Sequence, residues 1–192
     1  MSEPEARIPR LPADEARVAA AAAGVPVMMA DLSVFQVLLR HPALAGALHA
    51  PLSLLLWRGS LDARLRELVI MRIGWATGSV YEWTQHWWVA RGLGVSAEDL
   101  LGVRDWRAYQ GFGPAERAVL AATDEVLDDG AVTAPTWAEC EQHVGGPEEL
   151  LELIAAIGNW RMFSTLLRSL DVPLEEGTDP WPPDGARPRQ DG

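Results

Sequence analysis

Three side chains on one predicted helix have the types and the spacing of an acid/base site. Glu82 and His86 are four residues apart, and Ser79 precedes Glu82 by three, so a helix places all three on one face. Glu67 lies on the preceding predicted helix, and a bend between residues 74 and 78 would fold it back against this face. A carboxylate beside an imidazole fixes the tautomer and raises the basicity of the ring. The pattern predicts a proton relay of Glu67, Glu82 and His86.

The residues around these three predict how a substrate would be held. Tyr81 and Ser79 could donate hydrogen bonds to a developing oxyanion, and Arg72 could bind a substrate carboxylate. Arg72 has a second interpretation, as the partner of Glu67 or of another structural carboxylate. Four tryptophans of the same stretch either wall a dry aromatic pocket, with Trp83 against the substrate, or belong to the core: Trp75, Trp83, Trp87 and Trp88.

The elements that must position these residues are predicted to be helices. Apolar residues recur at helical spacing almost throughout the chain, without the alternation typical of strands. Ser60 is the expected N-cap of the helix that carries Glu67, and Pro51 is expected to kink or split its own helix. The sequence therefore predicts an all-α protein, a compact helical bundle. We expect three regions: an N-terminal arm and helix over residues 1–30, a helical domain over 31–172 and a Pro/Gly-rich irregular tail over 173–192.

Composition excludes several classes of function. The chain has 192 residues and a net charge of −11, which argues against nucleic acid or an anionic membrane as partner. All 16 basic residues are arginine, so lysine Schiff-base chemistry is excluded. The only cysteine, Cys140, cannot form an internal disulfide.

The remaining features predict location and cofactor content. Apolar stretches are interrupted by charges or proline well short of the roughly 20 residues that a membrane span needs. No basic start followed by an apolar run is present, so we expect no secretory signal and a cytoplasmic protein. The sequence carries no nucleotide, flavin or haem motif, and we expect no cofactor.

The segment over residues 61–94 resembles the core motif of the carboxymuconolactone decarboxylase / alkyl hydroperoxidase D-like superfamily. It is most similar to the branch with the signature Tyr-Glu-Trp-x-x-His, here Tyr81, Glu82, Trp83 and His86. Residues 114–125, Trp137 and residues 158–172 extend the resemblance over roughly residues 31–176. The resemblance implies an all-helical fold and a homo-oligomer, a dimer, trimer or hexamer.

The same resemblance implies which relay residues are kept and which are replaced. Peroxidase members use a glutamate, a Cys-x-x-Cys pair and a histidine. Aligned on His86, the two cysteine positions fall on Ser79 and Glu82, and the relay glutamate falls on Glu67. Thiol peroxidase turnover requires a thiolate and a resolving thiol, so we expect that this protein is not a thiol peroxidase.

Three functions are compatible with the sequence. The first is a cofactor-independent acid/base enzyme, a decarboxylase, isomerase or ring-opening lyase. Its substrate would be a small cyclic or aromatic organic acid, lactone or ketone, in aromatic degradation or natural-product tailoring. The second is a metal site with Glu67, Glu82 and His86 as ligands. The third is a non-catalytic protein that binds a small molecule in the aromatic pocket. The Glu82–His86 spacing is also common in simple surface pairs of helices.

Overall fold

The structure is a computed structural model, and it describes residues 5–189. Helices account for all regular secondary structure within these residues, which confirms the all-α prediction. Two short 3₁₀ helices lie at Val27–Asp31 and Val103–Asp105. The α-helices are α1 (Ala13–Ala23), α2 (Ser33–Leu38), α3 (Pro42–Trp57), α4 (Ala63–Thr77), α5 (Val80–Gly92), α6 (Ala97–Gly102), α7 (Pro114–Asp129), α8 (Ala134–His143) and α9 (Pro147–Ser169).

The chain forms two compact units. The first contains the described residues up to Trp57 together with Thr165–Thr178, and the second contains Arg58–Ser164 together with the described residues from Asp179 onward. The boundaries expected at residues 30 and 172 stay a prediction. Every residue of the predicted relay belongs to the second unit.

The first unit is built on α1, α2 and α3. Gly24 ends α1 in the left-handed conformation, with φ of 69°, as expected for a glycine after a helix. The segment Thr165–Thr178 is tied to this unit by Glu175, whose carboxylate accepts a hydrogen bond from the Ser33 amide at 2.9 Å. Pro51 lies inside α3, so the expected split does not occur. The missing proline N–H removes only one bond of the helix, and the helix continues.

A helical hairpin of α4 and α5 forms the centre of the second unit. Asp62, rather than the expected Ser60, caps α4, since its side chain accepts a hydrogen bond from the Leu65 amide at 3.0 Å. Gly78 ends α4 with φ of 70°, a conformation that glycine adopts without steric cost. Gly74 allows the close approach of the two helices, because a Cβ there would lie 3.0 Å from the Trp83 amide nitrogen. The hairpin therefore depends on two glycines.

The tail beyond residue 178 packs on this hairpin. Trp181 is buried, and its amide donates to Thr84 Oγ1 at 3.2 Å. The Pro182 carbonyl accepts a hydrogen bond from Trp83 Nε1 at 2.8 Å. The tail is irregular, as predicted, with turns and no helix over residues 173–189. Its ordered contacts with α5 are a finding that the sequence did not predict.

Replacing Trp83 by phenylalanine is expected to loosen the tail. The substitution leaves the buried Pro182 carbonyl without its donor, which costs about 1–3 kcal/mol in the free energy of unfolding. Denaturant unfolding measures the loss, and hydrogen exchange at residues 181–186 shows where it falls. Trp57→Phe is the control, because Trp57 is 58% exposed and belongs to the other unit of the chain. Equal losses in the two variants would contradict the role of the Trp83 bond.

Helix α9 is the one described helix that passes a length and hydropathy test for a membrane span. It has 23 residues and a mean hydropathy of 1.2 over its most apolar window, although the sequence suggested that no stretch was long enough. Half of that window is buried inside the protein. Such burial is typical of the core helix of a soluble protein, so the test is weak evidence for a membrane.

Candidate active site

Helices α4 and α5 bring Glu67 and His86 into contact. Glu67 Oε2 lies 2.8 Å from His86 Nδ1, a distance typical of a charge-assisted hydrogen bond. The two residues are 19 positions apart, so the bend at Gly78 is what places them side by side. The predicted pairing of Glu67 with the α5 stripe is therefore present in the structure.

Glu67 is a buried anion held by two partners. Its side chain is fully buried, and its Oε1 accepts hydrogen bonds from Nε and Nη2 of Arg66, each at 3.0 Å. Burial raises the pKa of the Glu67 carboxyl, but the His86 ring and the Arg66 guanidinium outweigh burial and leave the pKa below its usual value. Glu67 is therefore ionised at neutral pH and orients the imidazole through Nδ1.

Nε2 of His86 has a hydrogen-bond donor on one side and a carboxylate oxygen on the other. Trp160 Nε1 on α9 donates to His86 Nε2 at 3.1 Å, and Glu82 Oε2 lies 3.5 Å from the same nitrogen. Burial lowers the pKa of His86, but the carboxylates of Glu67 and Glu82 outweigh it, so the pKa is raised. One neighbour thus requires an unprotonated Nε2, and the other favours a protonated one.

Glu82 titrates near neutral pH. Burial raises the pKa of its carboxyl to about 7, the His86 ring opposes that rise, and the Glu67 charge adds to it. A general acid or base works best when its pKa lies near the working pH. The two carboxyls beside His86 thus differ in state: Glu67 stays ionised, and Glu82 gains and loses a proton.

The side chains of Glu67, Glu82 and His86 differ in their exposure to solvent. The side chains of His86 and Glu82 are 10% and 7% exposed, whereas that of Glu67 is 0% exposed. His86 and Glu82 thus keep a small exposed fraction, whereas Glu67 has none. Glu67 therefore lies behind the imidazole, away from solvent.

The predicted substrate-binding residues on α5 are all buried, but they differ in their hydrogen bonds. Ser79 is fully buried at the start of α5, and its Oγ has no hydrogen-bond partner among the described residues. Tyr81 is also buried on α5. Trp83 is buried between tryptophan rings, and its N–H is used by the tail. Of these three residues, Ser79 alone has a side-chain polar atom without a hydrogen-bond partner within residues 5–189.

Arg72 serves a structural carboxylate. Its Nε and Nη2 bind Asp124 at 2.6 and 3.2 Å, and its Nη1 donates to the carbonyls of Val103 and Arg104. The second interpretation of Arg72 therefore describes its position, and the structure does not bring it to the imidazole. Asp124 also accepts a hydrogen bond from Trp106 Nε1 at 3.0 Å.

The donor set does not resemble a formed metal centre. Over residues 5–189, no group of three or more His, Cys, Asp or Glu side chains is arranged to hold a metal ion. Both His86 nitrogens are engaged, Nδ1 with Glu67 and Nε2 with Trp160. A metal bound by these residues would have to displace the Trp160 hydrogen bond, which disfavours the metal alternative.

Two residues of the site were not predicted as part of it. Arg66 directly precedes Glu67, and charge complementarity was the only available signal. Trp160 lies within residues 158–172, which extend the family resemblance, but its hydrogen bond to His86 was not predicted. A surface cavity of about 470 Å³ is lined by residues such as Trp106, Phe112 and Arg117, and none of the relay residues lines it.

Cys140 is a buried free cysteine whose environment disfavours the thiolate. Burial, helped by the charges of Glu125 and Glu139, raises the pKa of its thiol to about 11. We expect no reaction of native Cys140 with a thiol reagent at neutral pH and full reaction after unfolding. Measuring both by absorbance, beside thiol-dependent hydroperoxide consumption, checks this. Rapid native labelling, or peroxide consumption abolished in Cys140→Ser, would contradict it.

A family model matches part of the chain. Residues 42–125 match the model of the carboxymuconolactone decarboxylase family. The match covers less than half of the chain, and it agrees with the resemblance stated from the sequence. Among curated proteins, none shows significant sequence similarity to this chain.

Solved structures share the fold at low sequence identity. A peroxidase-related protein of Ralstonia eutropha with an alkylhydroperoxidase core is 18% identical, with 91% of this chain and 95% of that chain covered and a TM-score of 0.72. A peroxidase-related protein of Silicibacter is 13% identical, with 93% and 98% covered and a TM-score of 0.73. The debrominase Bmp8 in complex with 2,3,4-tribromopyrrole is 17% identical, with 78% and 82% covered and a TM-score of 0.66.

Proposed function

We propose that this protein is a cofactor-independent acid/base enzyme, of the decarboxylase, isomerase or ring-opening lyase type. Its substrate would be a small cyclic or aromatic organic acid, lactone or ketone. The observation that carries the proposal is the Glu82 carboxyl, with a pKa of about 7, next to an imidazole that an ionised carboxylate orients from behind. Such a set can accept a proton from carbon and return it elsewhere on the same molecule.

The chemistry follows from the two states of the carboxyl groups. A substrate proton leaves to the Glu82–His86 pair, and the substrate keeps the electron pair as an enolate-like anion. The ionised Glu67, 2.8 Å from Nδ1, stabilises positive charge on the ring if the proton reaches it. Ser79 is fully buried like Glu67, so its hydrogen bond to a developing oxyanion stays a prediction. The debrominase with its bromopyrrole supports a small aromatic substrate.

The test is proton exchange on carbon acids in deuterium oxide. Small cyclic keto acids, lactones and hydroxylated aromatic acids are incubated with the protein, and NMR follows deuterium uptake, ring opening and loss of carboxylate. We expect exchange or turnover with at least one class and its loss in His86→Gln. The matched control is His143→Gln, because His143 also lies four residues after a glutamate, 3.5 Å from Glu139, far from the relay in sequence.

Two outcomes would overturn the proposal. Full activity in His86→Gln would remove the relay from the mechanism. Saturable binding of such a molecule without exchange or turnover would favour the non-catalytic binding protein instead.

We also propose that the protein forms a homo-oligomer. Three apolar side chains at the end of α5 are exposed in the single chain: Trp88 at 62%, Val89 at 44% and Leu93 at 50%. Exposed apolar groups close together are typical of protein interfaces. Native mass spectrometry is expected to show a dimer, trimer or hexamer, and Trp88→Glu to shift it toward monomer. A wild-type monomer at micromolar concentration would contradict this. The cytoplasmic location stays a prediction.

A further inference from the structure

The hydrogen bonds around His86 define where its proton lies. Trp160 Nε1 carries a hydrogen and no lone pair, so it can only donate. Its bond to His86 Nε2, at 3.1 Å, therefore requires an unprotonated Nε2. The proton of the neutral ring must then lie on Nδ1, where it donates to Glu67 Oε2 at 2.8 Å. A neutral His86 ring fits both hydrogen bonds in this tautomer alone.

The same bond occupies the position at which His86 would act as a base. An imidazole nitrogen has a single lone pair in the ring plane, and the indole N–H takes it. Trp160 is 1% exposed and Trp160 and His86 form an edge-to-face pair with centroids 5.7 Å apart. Packing thus holds the indole against the ring. A substrate proton can reach Nε2 only after the indole N–H has moved.

Glu82 has no such obstruction. Its carboxylate offers two oxygens with several acceptor positions, and its neighbour His86 Nε2 lies at 3.5 Å, longer than a well-formed hydrogen bond. Glu82 is therefore the acceptor that remains open beside the imidazole. The charges that face this ring are Glu67 from α4, Arg66 through Glu67, and Glu82 from α5.

We propose that Trp160 is a positioning residue that keeps Nε2 of His86 unprotonated in the resting site, so that Glu82 is the group that exchanges a proton with the substrate. In the first step the substrate C–H bond breaks, its proton bonds to a Glu82 oxygen, and the electron pair stays on the substrate. Onward transfer to Nε2 breaks the Glu82 O–H bond and the Trp160 hydrogen bond, and leaves an imidazolium between two carboxylates. The assignment of Glu82 rests on the proposed function, whereas the tautomer does not.

NMR of the uniformly ¹⁵N-labelled protein tests the tautomer without a substrate. In the wild type we expect a scalar coupling across the hydrogen bond from Trp160 Nε1 to His86 Nε2. We also expect a protonated-type shift for Nδ1 and an unprotonated-type shift for Nε2. A wild-type spectrum in which both ring nitrogens of His86 are protonated, or in which this coupling is absent, would overturn the proposal. This test uses the wild type, so it does not depend on whether any variant folds.

The variant Trp160→Phe tests whether the indole sets the proton position. Without the donor, Nε2 is free to bond a proton and turn it toward Glu82, so we expect the unprotonated-type Nε2 signal to be lost. Trp106→Phe is the matched control, because it removes another buried indole hydrogen bond, to Asp124 at 3.0 Å, and should leave His86 unchanged. An unaltered His86 spectrum in folded Trp160→Phe would overturn the proposal.

The two proposals fail in different ways. If NMR shows the coupling from Trp160 to His86 but no carbon acid is turned over, the position of the His86 proton is supported and the acid/base function is overturned. Turnover that survives in Glu82→Gln but not in His86→Gln would retain the enzyme and overturn the assignment of Glu82.

Discussion

Replacing Glu82 by glutamine is expected to stabilise the protein above neutral pH. The pKa of Glu82 is raised from 4.5 to about 7, so the folded state disfavours its ionised form. The penalty is absent below the unfolded pKa, grows as the pH rises, and is complete above the folded pKa. Glutamine has the same shape and no charge. The gain in the free energy of unfolding should approach about 3 kcal/mol on the alkaline side, on the order of 1.4 kcal/mol per pKa unit.

The measurement is urea unfolding of both proteins at a series of pH values from about 4 to about 9. The two curves should coincide at the acid end and separate through the neutral range. A constant difference at every pH would show that the substitution acts through packing. Glu116→Gln is a control at a carboxyl that is partly exposed, with a side chain 20% accessible, where we expect no comparable separation.

The same variant should lose most of the activity. Removing a group that transfers a proton in the transition state costs about 10²- to 10⁴-fold in rate. A gain in stability together with a loss of activity is expected when an active-site carboxyl is held, for the sake of function, in an environment that destabilises its charge. Steady-state kinetics on the carbon acid found by the exchange experiment checks this. Unchanged kcat in Glu82→Gln would contradict a catalytic Glu82.

The parts of the site that sequence could predict are those that depend on local spacing. Glu82 and His86 follow from helical periodicity, and the return of Glu67 follows from a glycine-marked bend between two helices. The structure places these three as expected. The cap of α4 was predicted to be Ser60 but is Asp62, since both serine and aspartate are good caps and the local pattern does not separate them.

The parts that sequence could not predict depend on distant segments. Trp160 is 74 residues from His86, and the Pro182 carbonyl is 99 residues from Trp83. No spacing rule joins such pairs, because which helix faces meet is decided by the packing of the whole unit. Composition was also misleading for the tail, since prolines and glycines predicted its irregularity but not the burial of Trp181 against α5.

Glu67→Gln is expected to have the opposite sign from Glu82→Gln. The pKa of Glu67 is lowered, so its charge stabilises the folded state above the unfolded pKa, and that stabilisation is lost as the pH falls. Glutamine removes the negative charge that faces the buried Arg66 and turns an N–H donor toward Arg66 or His86. Breaking a buried pair in this way costs about 3–5 kcal/mol.

The two amide substitutions control each other, because they place the same change beside the same imidazole. Urea unfolding at neutral pH should show a loss for Glu67→Gln and a gain for Glu82→Gln, and the loss should shrink toward acid pH. Asp31→Asn is an exposed reference, since Asp31 pairs with Arg17 at 2.8 Å and both side chains are more than half exposed; there we expect less than about 1 kcal/mol. If both buried glutamates respond with the same sign, the assignment of one ionised and one titrating carboxyl is wrong, and with it the direction of proton transfer through His86.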